Sequence, residues 1–373
     1  YDAKFCKVGD ELKEYKVCVY AICKNERKFA KRWVDSMSEA DEIIVTDTGS
    51  TDGTVEKLRE LGAVVHIHKV EPWRFDIARN IALSHVPKDA DICVSCDLDE
   101  VFEKGWRAKL EKSWSEDVTI ARYKYNWSFK SDGSPDVQYN LSKIHSRNDY
   151  KWVYPVHECL KYIGTKAEKA IFVEGMVVNH FPDNSKSRGQ YLPLLELAVE
   201  ENPDNDRLMF WLGREYIFYQ KYDECISTLE RYLKLATATW NEERSAGYRF
   251  IARAYQGKGD MHSAKLYLLK AIAECPFTRE PYLHLARLGY MLSDWPLAYF
   301  AVNEALKITK KTNSYLFESQ GWGYEIYDLG AISAFHLGTY NRSLELAEMA
   351  LKLDPGNARL EQNLEIIKAK LTG

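Results

Sequence analysis

Nowhere in this sequence does an apolar run approach the roughly 18 residues that a membrane span requires, and no charged segment leads into an apolar stretch at its start. No membrane span is expected, and a cytoplasmic location is. A basic excess is missing too: 51 Lys and Arg stand against 55 Asp and Glu, for a net charge of −4. Without a basic footprint, nucleic acid is not an expected partner. Nor do the eight cysteines form a framework. They are scattered through apolar segments, and the one close pair, Cys93 and Cys96, lies on a strand-like run where residues three apart point to opposite faces. That pair cannot share an ion, and reduced, buried thiols are the expectation.

What is present is the composition of a folded protein, 46% hydrophobic and 28% charged over 373 residues, long enough for two compact units. Short apolar runs at 17–23, 42–47, 63–68 and 91–97 alternate with helical patterns at 26–37, 54–61 and 75–84. Runs with little polar interruption, separated by helices, predict a mostly parallel α/β sheet covered on both faces. After Trp114 the period becomes two. Tyr123, Tyr125, Trp127 and Phe129 alternate with polar residues, and the turn at 131–135 leads into a second strand at 137–145, which predicts a hairpin.

From Ser187 the pattern is helical and repeats. Ala198 with Pro203, Ala271 with Pro276 and Ala350 with Pro355 share one register, and Tyr255 and Gly289 are 34 residues apart, as are Ala271 and Ala305. This period resembles tetratricopeptide helix pairs, and Leu212-Gly213-x-x-Tyr216 resembles the core of their first helix. Wider spacings place insertions near Thr237 and Ser314, with an irregular helical bundle as the alternative. The expected division is an α/β domain at 1–185 and an all-α domain at 186–373.

Chemistry concentrates at predicted strand ends. The run from Ile92 opens into Asp97-Leu98-Asp99-Glu100, and in open parallel sheets ligands sit beyond the carboxyl ends of the strands. Two carboxylates there suit a hard divalent cation whose remaining ligands come from phosphates, with a solvated acidic turn as the alternative. Asp47 ends an earlier strand and is placed to accept from a base or ribose, while Ser50, Thr51 or Asp52 caps the next helix. Arg79 follows Asp76 by three residues and serves either an ion pair with it or a pyrophosphate. His66 and His68 read as structural.

The ordered set Lys24-Asn25-Glu26, Asp47 to Thr54, Trp73-Arg-Phe-Asp76-Ile-Ala-Arg79-Asn80 and Asp97 to Glu100 resembles family 2 glycosyltransferases of the GT-A (Rossmann-like) fold. It is similar in particular to the subgroup with C-terminal tetratricopeptide repeats, which includes sublancin-type peptide S-glycosyltransferases. Val156-His157-Glu158 adds a similarity to lipopolysaccharide-core glucosyltransferases, and the resemblance covers about residues 15–182. It implies that Asn25, Glu26, Asp47, Asp76, Arg79, Asn80, Asp97 and Leu98 meet the nucleotide-sugar, the side chain of Leu98 pointing back into the sheet. It implies that Asp97 and Asp99 hold Mn²⁺ or Mg²⁺, with His180 a third ligand or else a structural residue. Such enzymes invert the anomeric centre by direct displacement, with Glu158 the candidate base and His157 the second choice, or the two together a buried pair that shapes the acceptor pocket.

The implied function is transfer of a sugar from a UDP-sugar to a peptide or protein held partly by the repeats. Competing readings keep the enzyme but give it a glycan or lipid-linked acceptor, with the repeats forming a homodimer, or make the chain a non-catalytic scaffold. The intact Asp47, Asp97 and Asp99 argue against the scaffold. Tyr123, Tyr125, Trp127, Phe129, Tyr150, Trp152 and Tyr154 are candidates for an acceptor wall, most of them expected to be core.

Overall fold

A computed structural model of the chain describes residues 14–183, 189 and 191–372, so Cys6 lies outside the described residues. Two compact units result, Tyr1–Lys186 and Ser187–Gly373.

In the first unit, β1 (Val17–Cys23), β2 (Glu42–Asp47), β3 (Val64–Ile67) and β4 (Ile92–Ser95) lie where the apolar runs predict them. They alternate with α1 (Arg27–Met37), α2 (Thr54–Glu60) and α3 (Phe75–His85). The sheet continues through β5 (Glu100–Phe102), β6 (Ile120–Asn126), β7 (Gln138–Ser146) and β10 (Ala170–His180), in the order β3-β2-β1-β4-β7-β6-β10-β5. The β3-β2-β1-β4 half is parallel, whereas β7 pairs antiparallel with both β4 and β6 as the predicted hairpin. A helix the sequence reading did not anticipate, α4 (Trp106–Ser113), and a separate β8 (Tyr150–Val153)–β9 (Cys159–Tyr162) ribbon complete the unit.

The period of two sorts each central strand onto both faces. Val17, Val19 and Ala21 of β1 join Trp33 of α1, Leu58 of α2 and Trp106 of α4 in one core. Cys18 and Tyr20 face the other way, against Ala82 and Leu83 of α3 and Trp152 of β8. Fully burying each such side chain contributes about 1.5–3 kcal/mol, which is why the strands carry almost no polar residue. Cys96 lies in the first core and Cys93 in the second, so the two thiols face apart as expected. Cys18, Cys23, Cys93, Cys96, Cys225 and Cys275 are buried thiols that form no disulfide. His66 stacks on His85 at 3.9 Å, a structural role.

The second unit is helical throughout. After α5 (Tyr191–Glu201) come four antiparallel pairs: α6 (Asp206–Phe218) with α7 (Tyr222–Tyr232), α8 (Asn241–Gly257) with α9 (Met261–Glu274), α10 (Glu280–Met291) with α11 (Trp295–Lys307), and α12 (Tyr324–His336) with α13 (Tyr340–Leu353). Helix α14 (Ala358–Thr372) follows them. Pairing is closest where a glycine stands: a Cβ on Gly213 would strike Leu229, and one on Gly289 would come within 2.7 Å of the Ala298 nitrogen. The expected insertions are the α7–α8 connection and the α11–α12 connection, the latter carrying a short 3₁₀ turn at Ser319–Gly321. Among the described residues no helix is long and apolar enough to cross a membrane.

Candidate active site

The loops leaving the carboxyl ends of β1 and β2 are stitched together. Asn25, at φ 56°, donates its N–H to Ser50 Oγ at 2.7 Å and accepts from the Thr51 N–H at 2.8 Å. The Glu26 N–H reaches Thr54 Oγ1 at 2.8 Å. Asp47 is the post around which the second loop turns: its Oδ1 accepts from the Gly49 and Ser50 N–H groups, each at 2.9 Å, and its Oδ2 from the Ser50 hydroxyl and, at 3.3 Å, the Cys23 thiol. At 1% exposure this carboxylate holds the loop and does not face the crevice, which revises its expected contact with a base or ribose. Burial, then the charge of Asp47, pushes the Cys23 thiol far above the ordinary range. Asp52 accepts from the Thr54 N–H at 3.0 Å from one residue before the N-cap of α2, which is Gly53 rather than Ser50, Thr51 or Asp52 as expected.

Arg79 is the hub of the next layer. Its guanidinium, 5% exposed, meets Asp97 Oδ1 at 2.8 Å and Oδ2 at 3.1 Å, and its Nε donates to Glu158 Oε1 at 2.5 Å. Trp152 lies under it at 4.9 Å. The expected Asp76–Arg79 pair does not form, because Asp76 is held at 3.0 Å by Arg74, two residues before it. Asn80 is also spoken for: its side chain donates to the Trp152 carbonyl and accepts from the Trp152 N–H, both at 2.9 Å, fixing β8 to α3 rather than facing a nucleotide. The Leu98 side chain is wholly buried in the first core and leaves only main chain at the site.

A second cation, unanticipated, completes this layer. Lys143 of β7 bridges Asp97 at 2.8 Å and Glu100 at 2.9 Å. Glu100, 2% exposed, also accepts from the Tyr125 hydroxyl and the Asp97 N–H, each at 2.9 Å. Burial opposes the charge of Asp97, but Arg79 and Lys143 overcome it and hold the carboxyl far below the usual range. Burial likewise disfavours the ammonium of Lys143, and Asp97 and Glu100 keep it protonated. A signal existed in the sequence: Lys143 is in phase with Tyr139 and Leu141, which pack on the first core.

Asp99 stands apart from that knot. Antiparallel pairing of β10 with β5 sets His180 opposite Glu100, and the Phe181 N–H donates to the Asp99 carbonyl at 2.8 Å. His180 Nε2 thereby comes to 3.5 Å from Asp99 Oδ2, with the Asp99 side chain 26% exposed. The other ring nitrogen, Nδ1, is 3.1 Å from the Trp127 carbonyl and donates to it, so Nε2 faces the carboxylate. Burial lowers the His180 pKa, but hydrogen bonding to Asp99 more than offsets this and the net shift is upward. Asp97, tied to two cations, does not turn toward this pair, and among the described residues no three His, Cys, Asp or Glu side chains converge on a cation site.

Tyr123 and Tyr125 are core, as are Tyr150 and Trp152, whereas Trp127 is 47% exposed and stacks on His180 at 4.5 Å. Phe129 stacks on Phe181 at 5.4 Å, with the Arg32 guanidinium 4.6 Å from the Phe181 ring. On the other side, the segment carrying His157 and Glu158 is held in an unusual path, with Tyr154 at φ 80° and His157 at φ 48°. The Phe75 N–H at the start of α3 anchors it through the Pro155 carbonyl at 2.9 Å.

Against known proteins, residues 18–170 match the family model described as glycosyl transferase family 2, and residues 248–277 match a tetratricopeptide repeat model. The chain is similar to the SPbeta prophage-derived glycosyltransferase SunS of Bacillus subtilis (strain 168), 25% identical over 228 residues, 56% of this chain and 51% of SunS. It is similar to the lipopolysaccharide core biosynthesis glycosyltransferase LpsC of Rhizobium meliloti (strain 1021), 30% identical over 95 residues, 24% of this chain and 34% of LpsC. The chain thus spans about half the length of SunS and a third of LpsC. Among solved structures it is similar to YrrB, a TPR protein with an unusual peptide-binding site, at a TM-score of 0.39 and 15% identity over 48% of this chain and 84% of that one.

Proposed function

From a chain whose residues 18–170 form a family 2 glycosyltransferase domain, followed by tetratricopeptide repeats, we propose a metal-dependent glycosyltransferase that moves a sugar, with inversion, from a UDP-sugar to a peptide or protein. The observation that carries the reading is the Asp99–His180 pair at the strand ends. A hard divalent cation needs few protein ligands when a diphosphate supplies oxygens, and a histidine whose Nδ1–H is anchored on a backbone carbonyl points Nε2 at Asp99, where a cation would take the place of the Nε2 proton. Arg79 and Lys143 are paired with Asp97, Glu100 and Glu158, and Asp99 has no part in those ion pairs, so the carboxylate nearest His180 is the one that favours added positive charge. Asp99 and His180 would hold Mn²⁺ or Mg²⁺, which would supply Lewis-acid neutralisation of the leaving diphosphate.

The residues of the chain do the rest. Asp97 keeps Arg79 and Lys143 charged and fixed beside the diphosphate, and Asn25 and Glu26 line the nucleoside side of the crevice. Arg79 holds Oε1 of Glu158, which leaves Oε2 to take the acceptor proton. As that proton moves to Glu158, the acceptor atom bonds to the anomeric carbon, the sugar–phosphate bond breaks and UDP leaves. His157 is the alternative base. The exposed ring of Trp127 and the Phe129–Phe181 stack give the acceptor an aromatic wall. Six buried thiols that form no disulfide, Cys18, Cys23, Cys93, Cys96, Cys225 and Cys275, support a cytoplasmic setting. The similarity to LpsC favours a second reading, a glycan or lipid-linked acceptor with the repeats pairing two copies.

A thermal-shift panel of UDP- and GDP-sugars with Mn²⁺ tests the donor site, because a ligand raises the unfolding midpoint with its occupancy. UDP-sugars should stabilise, and Asp99→Asn should lose the Mn²⁺-dependent part of the shift. Stabilisation by GDP-sugars alone, or by neither, would overturn the donor assignment.

A further inference from the structure

The α11–α12 connection, residues 308–323, does not loop into solvent. It runs along the face that the first helices of the repeat pairs share, and its side chains are received there as a ligand's would be. Tyr315 stacks on Trp211 of α6 at 5.3 Å, meets Trp240 edge-on at 5.6 Å and donates its hydroxyl to Glu243 of α8. Three residues on, the Glu318 carboxylate is gripped by Arg249 of α8 and, at 2.9 Å, by His284 of α10, with Arg287 at 3.8 Å. Main-chain groups of the segment are read too: the Glu318 N–H donates to Glu280 at 3.1 Å, and Arg279 donates to the Gly321 carbonyl at 3.0 Å.

Two features separate this from an ordinary packed loop. The contacts come from α6, α8 and α10, three successive first helices, so the groove they make would stand open if the segment left. Two guanidinium groups and an imidazole also converge on one carboxylate, and Arg249 still has a buried Nε with no partner. A cavity of about 10 Å³ lies between Thr312 and Leu316 of the segment and Arg249 and Glu280 of the helices. Two guanidinium groups and an imidazole beside an aromatic slot, matched to side chains three residues apart across a turn that the Phe317 N–H closes on the Ser314 carbonyl at 3.1 Å, define a ligand: a peptide with an aromatic residue and, three positions later, a carboxylate.

We propose that the first-helix face of the repeats is a binding site for an acidic peptide of this aromatic-x-x-carboxylate form, and that residues 312–322 are its internal occupant, displaced when the peptide binds. The inference concerns binding alone and stands whether or not a sugar is transferred. A tethered occupant acts at an effective concentration on the order of mM, so the intact chain takes a free peptide weakly, and removing the occupant's anchors unmasks the site.

The test uses the full chain and a fluorescein-labelled peptide with the sequence of residues 312–322, followed by anisotropy. The double variant Tyr315→Ala, Glu318→Ala should bind it at least 10-fold tighter than the unmodified chain. Replacing the peptide's glutamate by glutamine should weaken binding to that variant at least 10-fold. A variant that keeps its helical circular dichroism and binds no better than the parent overturns the proposal. Should the variant unfold, hydrogen exchange on the unmodified chain decides. Millimolar peptide must then speed exchange of the 314–321 amides while leaving α13 unchanged, and an unaltered rate there overturns the proposal equally.

Discussion

Replacing Lys143 by methionine keeps the volume of the side chain and removes the charge that Glu100 and half of Asp97 depend on. Asp97 retains Arg79, but Glu100, 2% exposed, is left with only the Tyr125 hydroxyl and the Asp97 N–H. Stripping one partner from a buried ion pair costs about 3–5 kcal/mol, and in a unit of this size each kcal/mol moves the unfolding midpoint by about 2–4 °C. The transition of the first unit should therefore fall by roughly 6–20 °C in differential scanning calorimetry at pH 7. Adding Glu100→Gln removes the orphaned charge and should recover more than half of the loss. Asp97 has a depressed folded pKa, so its contribution is present above its ordinary value of 3.8 and is lost as pH falls below it. The Lys143 pKa is raised, so its contribution is complete below 10.5 and fades only at more alkaline pH. The gap between parent and variant should thus be full at pH 7 and shrink below about pH 4. A single variant within about 2 °C of the parent, or a double variant less stable than the single one, would refute this account of the knot.

Other outcomes follow from the same geometry. Glu158→Gln should slow transfer to a hydroxyl acceptor by about 10²- to 10⁴-fold with donor affinity little changed, and slow transfer to a thiol much less, since a thiol with a pKa near ~8.5 is already partly ionised. Donor affinity falling in step with rate would move Glu158 into the nucleotide site and make His157 the better base. Gly289→Ala drives a methyl group to 2.7 Å from the Ala298 backbone and should destabilise the repeats by about 1–3 kcal/mol in denaturant titration; a neutral result would contradict the close approach of α10 and α11. Asn80→Ala leaves the Trp152 N–H and carbonyl unpaired and should cost about 1–3 kcal/mol in stability, while UDP affinity holds. A loss confined to UDP affinity would return Asn80 to the nucleotide site.

The strands β1 to β4 and the helices between them were legible because buried parallel strands leave unbroken apolar runs, and the runs at 17–23 and 42–47 coincide with β1 and β2. The repeat pairs were legible because alanine, glycine and proline recur in one register. What escaped the residue pattern was the contacts made across the sheet, of which the family resemblance supplied only His180 beside Asp99. Arg79 meets Glu158, 79 residues away, instead of Asp76, because α3 turns that side chain toward β4 rather than along its own surface. Lys143 drew no reading, because a lysine in a hairpin strand is ordinarily solvent-facing and only the pairing of β7 with β4 brings it to Asp97. His180 and Asp99 met only through the β5–β10 pairing, and β5 is three residues long, too short for its period to register. Asp47 was noticed for the right reason, a carboxylate at a strand end, but its oxygens were taken by the loop that follows.

The central claim is that Asp99 and His180 hold the cation that lets a UDP-sugar break down at this strand end. It is tested most directly by release of UDP from UDP-sugars by the full chain, with Mn²⁺, after EDTA, and after Mn²⁺ is restored, for the parent and for Asp99→Asn. The account predicts release that EDTA abolishes and Mn²⁺ restores, and none from the variant while its circular dichroism matches the parent. Equal release by a folded Asp99→Asn variant, or release indifferent to EDTA, would contradict it.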